Sequence, residues 1–183
     1  MRNRNYNKNM KMTQPRFGEM INGQALGSVS KLRYGLCPMS FNGCEVISVH
    51  NALVYLGRPA AICEIARYME KFKVLLGLFG CNVYRIGKAL EHFGVKYDPV
   101  KTFEEAENAP AFIISSWTGR RLLSSVHTVF CVRENGKICV FNRFNGCGDV
   151  RRFDSPEEIF KGRKLIRIYK LAQCQNEKEE GRK

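Results

Sequence analysis

The chain has 183 residues, 44% hydrophobic, 11% aromatic and 26% charged, which is the balance of one globular domain. Thirty Lys and Arg against 17 Asp and Glu leave a net charge of +13, and a mean hydropathy of -0.30 excludes a membrane-embedded protein. Ordinary apolar content in structured runs also excludes intrinsic disorder for most of the chain.

No segment reaches the roughly eighteen consecutive apolar residues of a spanning helix, so no membrane span is expected. Met1 to Gln14 is basic and Asn-rich with no apolar stretch behind it, and so lacks the core of a secretory signal. Eight cysteines, at 37, 44, 63, 81, 131, 139, 147 and 174, contain no Cys-x-x-Cys pair and no Cys/His zinc spacing. A cytoplasmic protein with no metal and no cofactor is expected, since unpaired thiols suit a reducing compartment.

The sequence divides into a basic N-terminal arm over 1–33, partly disordered in this reading, a domain over 34–171 and a polar tail over 172–183. Within the arm, Phe17, Met20, Ile21 and Leu26 are candidates to pack on the domain. From Cys44 to Leu56, apolar residues recur at helical spacing and Gly57 suits a left-handed cap, predicting a buried helix. Pro59 opens a second helix through Met69, and a third runs from about Asn82 to Phe93 and stops at Gly94. The period then changes. Val95 to Tyr97 reads as a short strand, Thr102 with Glu105 as a capping box, and Ala111 to Trp117 as a buried strand. Two strands, about Val126–Arg133 and Lys137–Asn142, flank Asn135-Gly136, a strong hairpin signal. Ser155-Pro156 opens a brief helix and Lys164 to Leu171 alternates as a last strand. The fold class is α+β, an N-terminal helical half packed on a mostly antiparallel β-sheet.

Cys44 stands where the first buried helix begins, a position whose unpaired N–H groups and dipole favour a thiolate. It follows Asn42-Gly43, a lead-in that lets a backbone N–H face a developing oxyanion. A two-residue turn at Asn135-Gly136 sets Glu134 opposite Lys137, Cys131 opposite Val140, Val129 opposite Asn142 and His127 opposite Phe144. His127 and Asn142 then share a sheet face as diagonal neighbours, the spacing at which an amide carbonyl orients an imidazole. The same count places Cys131 and Cys139 on opposite faces. For an isolated buried cysteine or strand histidine, core packing is the commoner role, and it is the pairing of the two signals that points to chemistry.

Gly43-Cys44-Glu45-Val46-Ile47-Ser48-Val49 opening a helix that ends Tyr55-Leu56-Gly57, then Val126-His127-Thr128-Val129-Phe130, then Val140-Phe141-Asn142, resembles the bacteriocin-processing double-glycine peptidases of the papain-like superfamily. The resemblance covers about residues 34 to 171. It implies a papain-like fold, Cys44 as nucleophile, His127 as base and Asn142 as its orienter, acting on a peptide or protein through an acyl-enzyme. Glu45-Val46 replaces the family's usual Gly-Pro, Asn142 replaces its usual Asp, and Pro38 occupies the place of its oxyanion Gln. Asn42 is the substitute oxyanion donor, with Ser40 behind it.

The weaker candidates are Cys37 as a loop nucleophile, His50 rotated away from Cys44 on the same helix, and His92 near a helix end. Gly77, Gly80 and Gly87 make no phosphate-binding fingerprint, and Tyr6, Tyr34 and Phe17 among basic residues belong to no nucleic-acid module. Two other readings remain beside the peptidase, with acyl transfer a variant of it. One is a catalytically inactive papain-like peptide-binding domain. The other is a basic nucleic-acid-binding protein, suggested by the net charge and by Arg120-Arg121 and Arg151-Arg152.

Overall fold

The computed structural model describes residues 2–119 and 125–172. In chain order the elements are α1 (Arg2–Asn9), β1 (Arg33–Tyr34), β2 (Cys37–Pro38), α2 (Met39–Asn42), α3 (Cys44–Tyr55), α4 (Ile62–Met69) and α5 (Ile86–His92). There follow β3 (Tyr97–Val100), β4 (Ala111–Trp117), β5 (Val126–Glu134), β6 (Lys137–Phe141), β7 (Arg151–Phe153), α6 (Pro156–Ile159) and β8 (Leu165–Leu171). The fold is the expected α+β: helices first, then a six-stranded antiparallel sheet in the order β3-β8-β4-β5-β6-β7. Arg120-Arg121, Cys174 and the tail from 173 lie outside the described residues. Among the described residues, no helix is long and apolar enough to cross a membrane.

Period-two alternation divides the sheet between two cores. Ala111, Ile113, Phe130 and Val132 face the helical half, where α3 is buried on every side from Cys44 to Leu53. Phe112, Ile114, Val129 and Cys131 face the other way, against Ile159 and Phe160. The hairpin register matches the sequence count, with Glu134 opposite Lys137 and Cys131 opposite Val140, and Asn135 and Gly136 both at positive φ.

Several boundaries shift for local reasons. The second helix starts at Ile62, because Pro59 and Ala60 precede an extended Ala61 at its N-cap. The third divides into a 3-10 turn over Val83–Arg85, capped by Asn82 accepting from Tyr84 N, and then α5. The first sheet strand begins at Tyr97, and the hairpin's second strand ends at Phe141 because Asn142 turns to a φ of 58°. The capping box holds, with Glu105 Oε2 accepting from Thr102 N at 3.1 Å, although it opens only a 3-10 turn.

The arm is more ordered than its composition suggests. Asn5 on α1 donates to Gly35 O at 2.7 Å and to Glu70 Oε1 at 2.5 Å, and Asn51 of α3 brackets the Ile21 main chain with two bonds of 2.8 Å. Ile21, Val29 and Leu32 are core residues, whereas Phe17 and Leu26 remain exposed. Buried polar groups on the later helices supply the partners that bring the arm in.

Gly35 joins these parts. It has a φ of 60°, and a Cβ there would lie 2.2 Å from Leu76 O and 2.8 Å from Gly77 Cα. Left-handed strain and backbone overlap together should make Gly35→Ala cost about 3 kcal/mol. Thermal unfolding should show this as a drop of roughly 6–12 °C for a domain of this size; a variant within a degree of wild type would mean that the Leu75–Gly80 loop yields freely.

Candidate active site

A cleft of about 1270 Å³ is lined by Cys44, Glu45 and Asn42 from the helical half and by His127, Arg143 and Arg163 from the sheet half, among others. Cys44 is the first residue of α3, 5% exposed. Its Sγ donates to Glu45 Oε2 at 3.3 Å, and the Thr128 main chain also bonds the sulfur. Burial, followed by the Glu45 charge, pushes the thiol well above its ordinary range. The helix start therefore does not by itself yield the thiolate that its dipole favours, because desolvation of the charged form is the larger effect.

Glu45 is fully buried, and burial raises its carboxyl to about 7. The main-chain N–H groups of Glu45 itself and of Cys81 oppose that rise. Gly80, at a φ of 65°, lies against the carboxylate so closely that a Cβ would fall 2.8 Å from Oε2. The sequence reading gave this acid no role beyond a departure from the family pattern. Its signal was the only charged residue on a buried helix, directly after the cysteine.

His127 is 8% exposed, and its Nε2 lies 2.7 Å from the main-chain O of Asn142. In the tautomer that donates there, Nδ1 keeps the lone pair. Burial, and after it the nearby Arg143 and Arg163 charges, hold the imidazole down at about 4. The expected orienter is thus present but acts differently. The Asn142 side chain does not reach the ring; its Oδ1 accepts from Gln24 N at 2.8 Å and its Nδ2 donates to Gln24 Oε1 at 3.0 Å. The sheet-face argument fails because β6 ends at Phe141 and Asn142 has left the pleat.

Among the described contacts, no hydrogen bond joins Cys44 to His127. By strand alternation His127 lies on the face of Val129 and Cys131, whereas α3 packs on the face of Phe130 and Val132. The assignment of Asn42 as oxyanion donor is corrected, since its Nδ2 donates to Tyr34 O at 3.0 Å and to Gly77 O. Both amide hydrogens are committed and only the unpartnered Oδ1 remains.

Gln24 is the residue that the arm brings in. It is buried, lines the cleft and donates from Nε2 to Ser40 O at 3.1 Å, and the arm's zipper continues with Ala25 N bonding Asn145 O at 2.8 Å. The remaining candidates lie apart. Cys37 is half-buried on β2, His50 bonds Glu19 O at 3.0 Å and His92 stacks on Tyr68 at 3.8 Å between centroids. Among the described residues, no group of three or more His, Cys, Asp or Glu could hold a metal ion.

No family model matches the sequence, and no curated protein matches it. Two solved structures are similar in shape. The first is the peptidase domain of Streptococcus ComA, a bi-functional ABC transporter involved in a quorum-sensing pathway: 14% identity, TM-score 0.53, covering 85% of this chain and 99% of that domain. The second is a double-glycine-motif protease from an AMS/PCAT transporter in complex with the leader peptide: 14% identity, TM-score 0.45, covering 70% of this chain and 84% of that one. The chain shares the fold of the ComA peptidase domain.

Proposed function

We propose that this protein is a cysteine peptidase-like hydrolase in which Cys44 attacks a peptide carbonyl and His127 transfers the proton. The reading is supported by Cys44 and His127 both lining one cleft, in a fold shared with the ComA peptidase domain. With Nε2 tethered to Asn142 O, the imidazole has a fixed tautomer whose Nδ1 is the base. In the unliganded state Cys44 is held as a thiol by Glu45, and substrate must bring sulfur and imidazole together, as catalytic hydrogen bonds often tighten only on binding. The proton leaves sulfur for Nδ1, the S–C bond forms, the C–N bond breaks, and the imidazolium returns the proton to the leaving amine. The acyl-enzyme is then resolved by water. The oxyanion faces the Cys44 main-chain N–H at the start of α3 and Gln24 Nε2, which has one hydrogen beyond its bond to Ser40 O.

A second reading, a peptide-binding domain without turnover, draws on the high thiol pKa and on the bond from Cys44 to Glu45. A peptidyl acyloxymethyl ketone ending in Gly-Gly separates the two. Wild type should be labelled at Cys44, His127→Ala should be labelled far more slowly and Cys44→Ala not at all. Reversible binding of the parent peptide without labelling would favour the binding domain, and preferential labelling of Cys37 would sink the assignment. Salt-sensitive retention of an oligonucleotide with no peptide reactivity would restore the nucleic-acid reading.

A further inference from the structure

The cleft is unequal in charge. Arg143 and Arg163 lie near His127, Lys164 also lines the cleft, and the only acid among its described lining residues is Glu45. That carboxylate is already engaged by Cys44 Sγ and by the Cys81 main chain. The four ion pairs among the described residues lie elsewhere, so Arg143 and Arg163 face no carboxylate. A half-buried guanidinium without a counter-ion is costly, and here two stand together: burial, and after it the Arg163 charge, lower the pKa of Arg143.

Arg143 is also held in place. Its Nε donates to Ile159 O at 2.8 Å, and its guanidinium sits 4.6 Å from the Phe144 ring centroid and 4.7 Å from that of Phe160. The terminal nitrogens have no partner among the described residues. A planar fork fixed between two rings is pre-organised for bidentate recognition of a carboxylate. Much of the rest of the lining is apolar, including Leu75, Leu78, Phe79 and Trp117, and three of these expose about half of their surface or more.

We propose that Arg143 and Arg163 form a carboxylate subsite beside His127, so that the cleft takes an apolar peptide bearing a carboxylate near the bond to be cleaved. This rests on the cleft being the substrate site of the hydrolase. A bound carboxylate also neutralises the two charges that disfavour imidazolium, so the correct substrate raises the basicity of His127 as it binds. The groups facing that ring are Arg143, Arg163 and the Asn142 main chain, with Lys164, Cys44 and Glu45 around the same cleft. Among the described lining residues the cations are Arg143, Arg163 and Lys164 beside many apolar side chains, a mixture that suits a peptide better than a nucleic-acid strand, which needs a continuous basic track.

Two measurements test it. The first alkylates wild-type protein with maleimidoacetic, maleimidopropionic and maleimidohexanoic acids and with their primary amides, reading Cys44 by peptide mapping. At one spacer length the acid should outpace its amide by about tenfold. That preference should collapse in Arg143→Met, which keeps a side chain between the rings, in Arg163→Gln, and in roughly 1 M salt, where screening acts within about 3 Å. Amides that fail to reach Cys44 would count against the hydrolase reading, whereas equal acid and amide rates would overturn the subsite alone.

The second follows the three histidine ring signals by NMR during pH titration. N-acetyl-leucyl-glutamyl amide and N-acetyl-leucyl-glutamine acid should each be compared with the uncharged N-acetyl-leucyl-glutaminyl amide. His127 should titrate about half a unit higher or more with the first if a side-chain carboxylate is read, or with the second if a C-terminal one is. The shift should be absent in Arg163→Gln. No shift with either acid, or a shift only with a short oligothymidylate, would overturn the proposal even if Cys44 proved inert.

Discussion

Cys44→Ala should abolish peptide hydrolysis, and His127→Gln should lower it by on the order of a thousandfold or more. The two groups act as one unit, so the double variant should be no worse than Cys44→Ala. Both variants should fold, since Cys44→Ala removes only a buried sulfur beside Glu45, and His127→Gln keeps a donor for Asn142 O. Asn142 makes the diagnostic comparison. Its orienting group is a main-chain carbonyl that no side-chain change removes, so Asn142→Gly, which keeps the left-handed φ, should leave the thiol reactivity that depends on His127 near wild type. It should nevertheless reduce turnover, because the two bonds to Gln24 disappear and the oxyanion donor loses its brace. Single-turnover kinetics beside iodoacetamide reaction rates would measure both. Loss of thiol reactivity in Asn142→Gly equal to that in His127→Gln would mean that the side chain itself serves the base.

Glu45→Gln should stabilise the protein at neutral to alkaline pH and quicken Cys44. The folded-state pKa of Glu45 is about 7, against an ordinary 4.5. The folded state thus holds this proton more tightly than the unfolded chain, so stability is greatest at low pH and is lost as pH rises from the ordinary value through 7. The full loss is about 3 kcal/mol. Gln fills the same space uncharged, and above about pH 8 Glu45→Gln should unfold roughly 4–10 °C higher, with little difference near pH 4. Removing the charge also removes a force that raises the Cys44 thiol, so iodoacetamide should modify the variant faster. His127 acts in the opposite direction: its folded value of about 4 lies below the ordinary 6.5, so its cost appears as pH falls through that interval. An unchanged melting profile for Glu45→Gln at alkaline pH would mean that water reaches the carboxylate.

Local periodicity carries most of the architecture. Ala111–Trp117 is the strand the apolar run predicts, and α3 begins at Cys44 as expected. The register of the β5–β6 hairpin follows from Asn135-Gly136 because a two-residue turn leaves no freedom in strand pairing. Two of the cleft-lining residues were legible to the same extent, Cys44 from its helix start and His127 from its place on the first hairpin strand.

Their chemical relations were decided by contacts far apart in sequence. Strand counting cannot register that Asn142 leaves the sheet at positive φ, which turns its side chain to Gln24 and its carbonyl to His127. The arm's path depends on Asn51 bonding the Ile21 main chain 30 residues away, and no local propensity encodes such a pairing. Asn42 loses its donor role because Tyr34 and Gly77 present carbonyls to it, and Cys44 remains a thiol because folding buries it against Glu45. The sequence by itself determined most of the elements and the hairpin register, because those follow from periodicity and turn chemistry within a few residues. Only the tertiary structure decided which hydrogen bonds and charges each group meets, because desolvation and long-range hydrogen bonding exist only once the chain has closed around them.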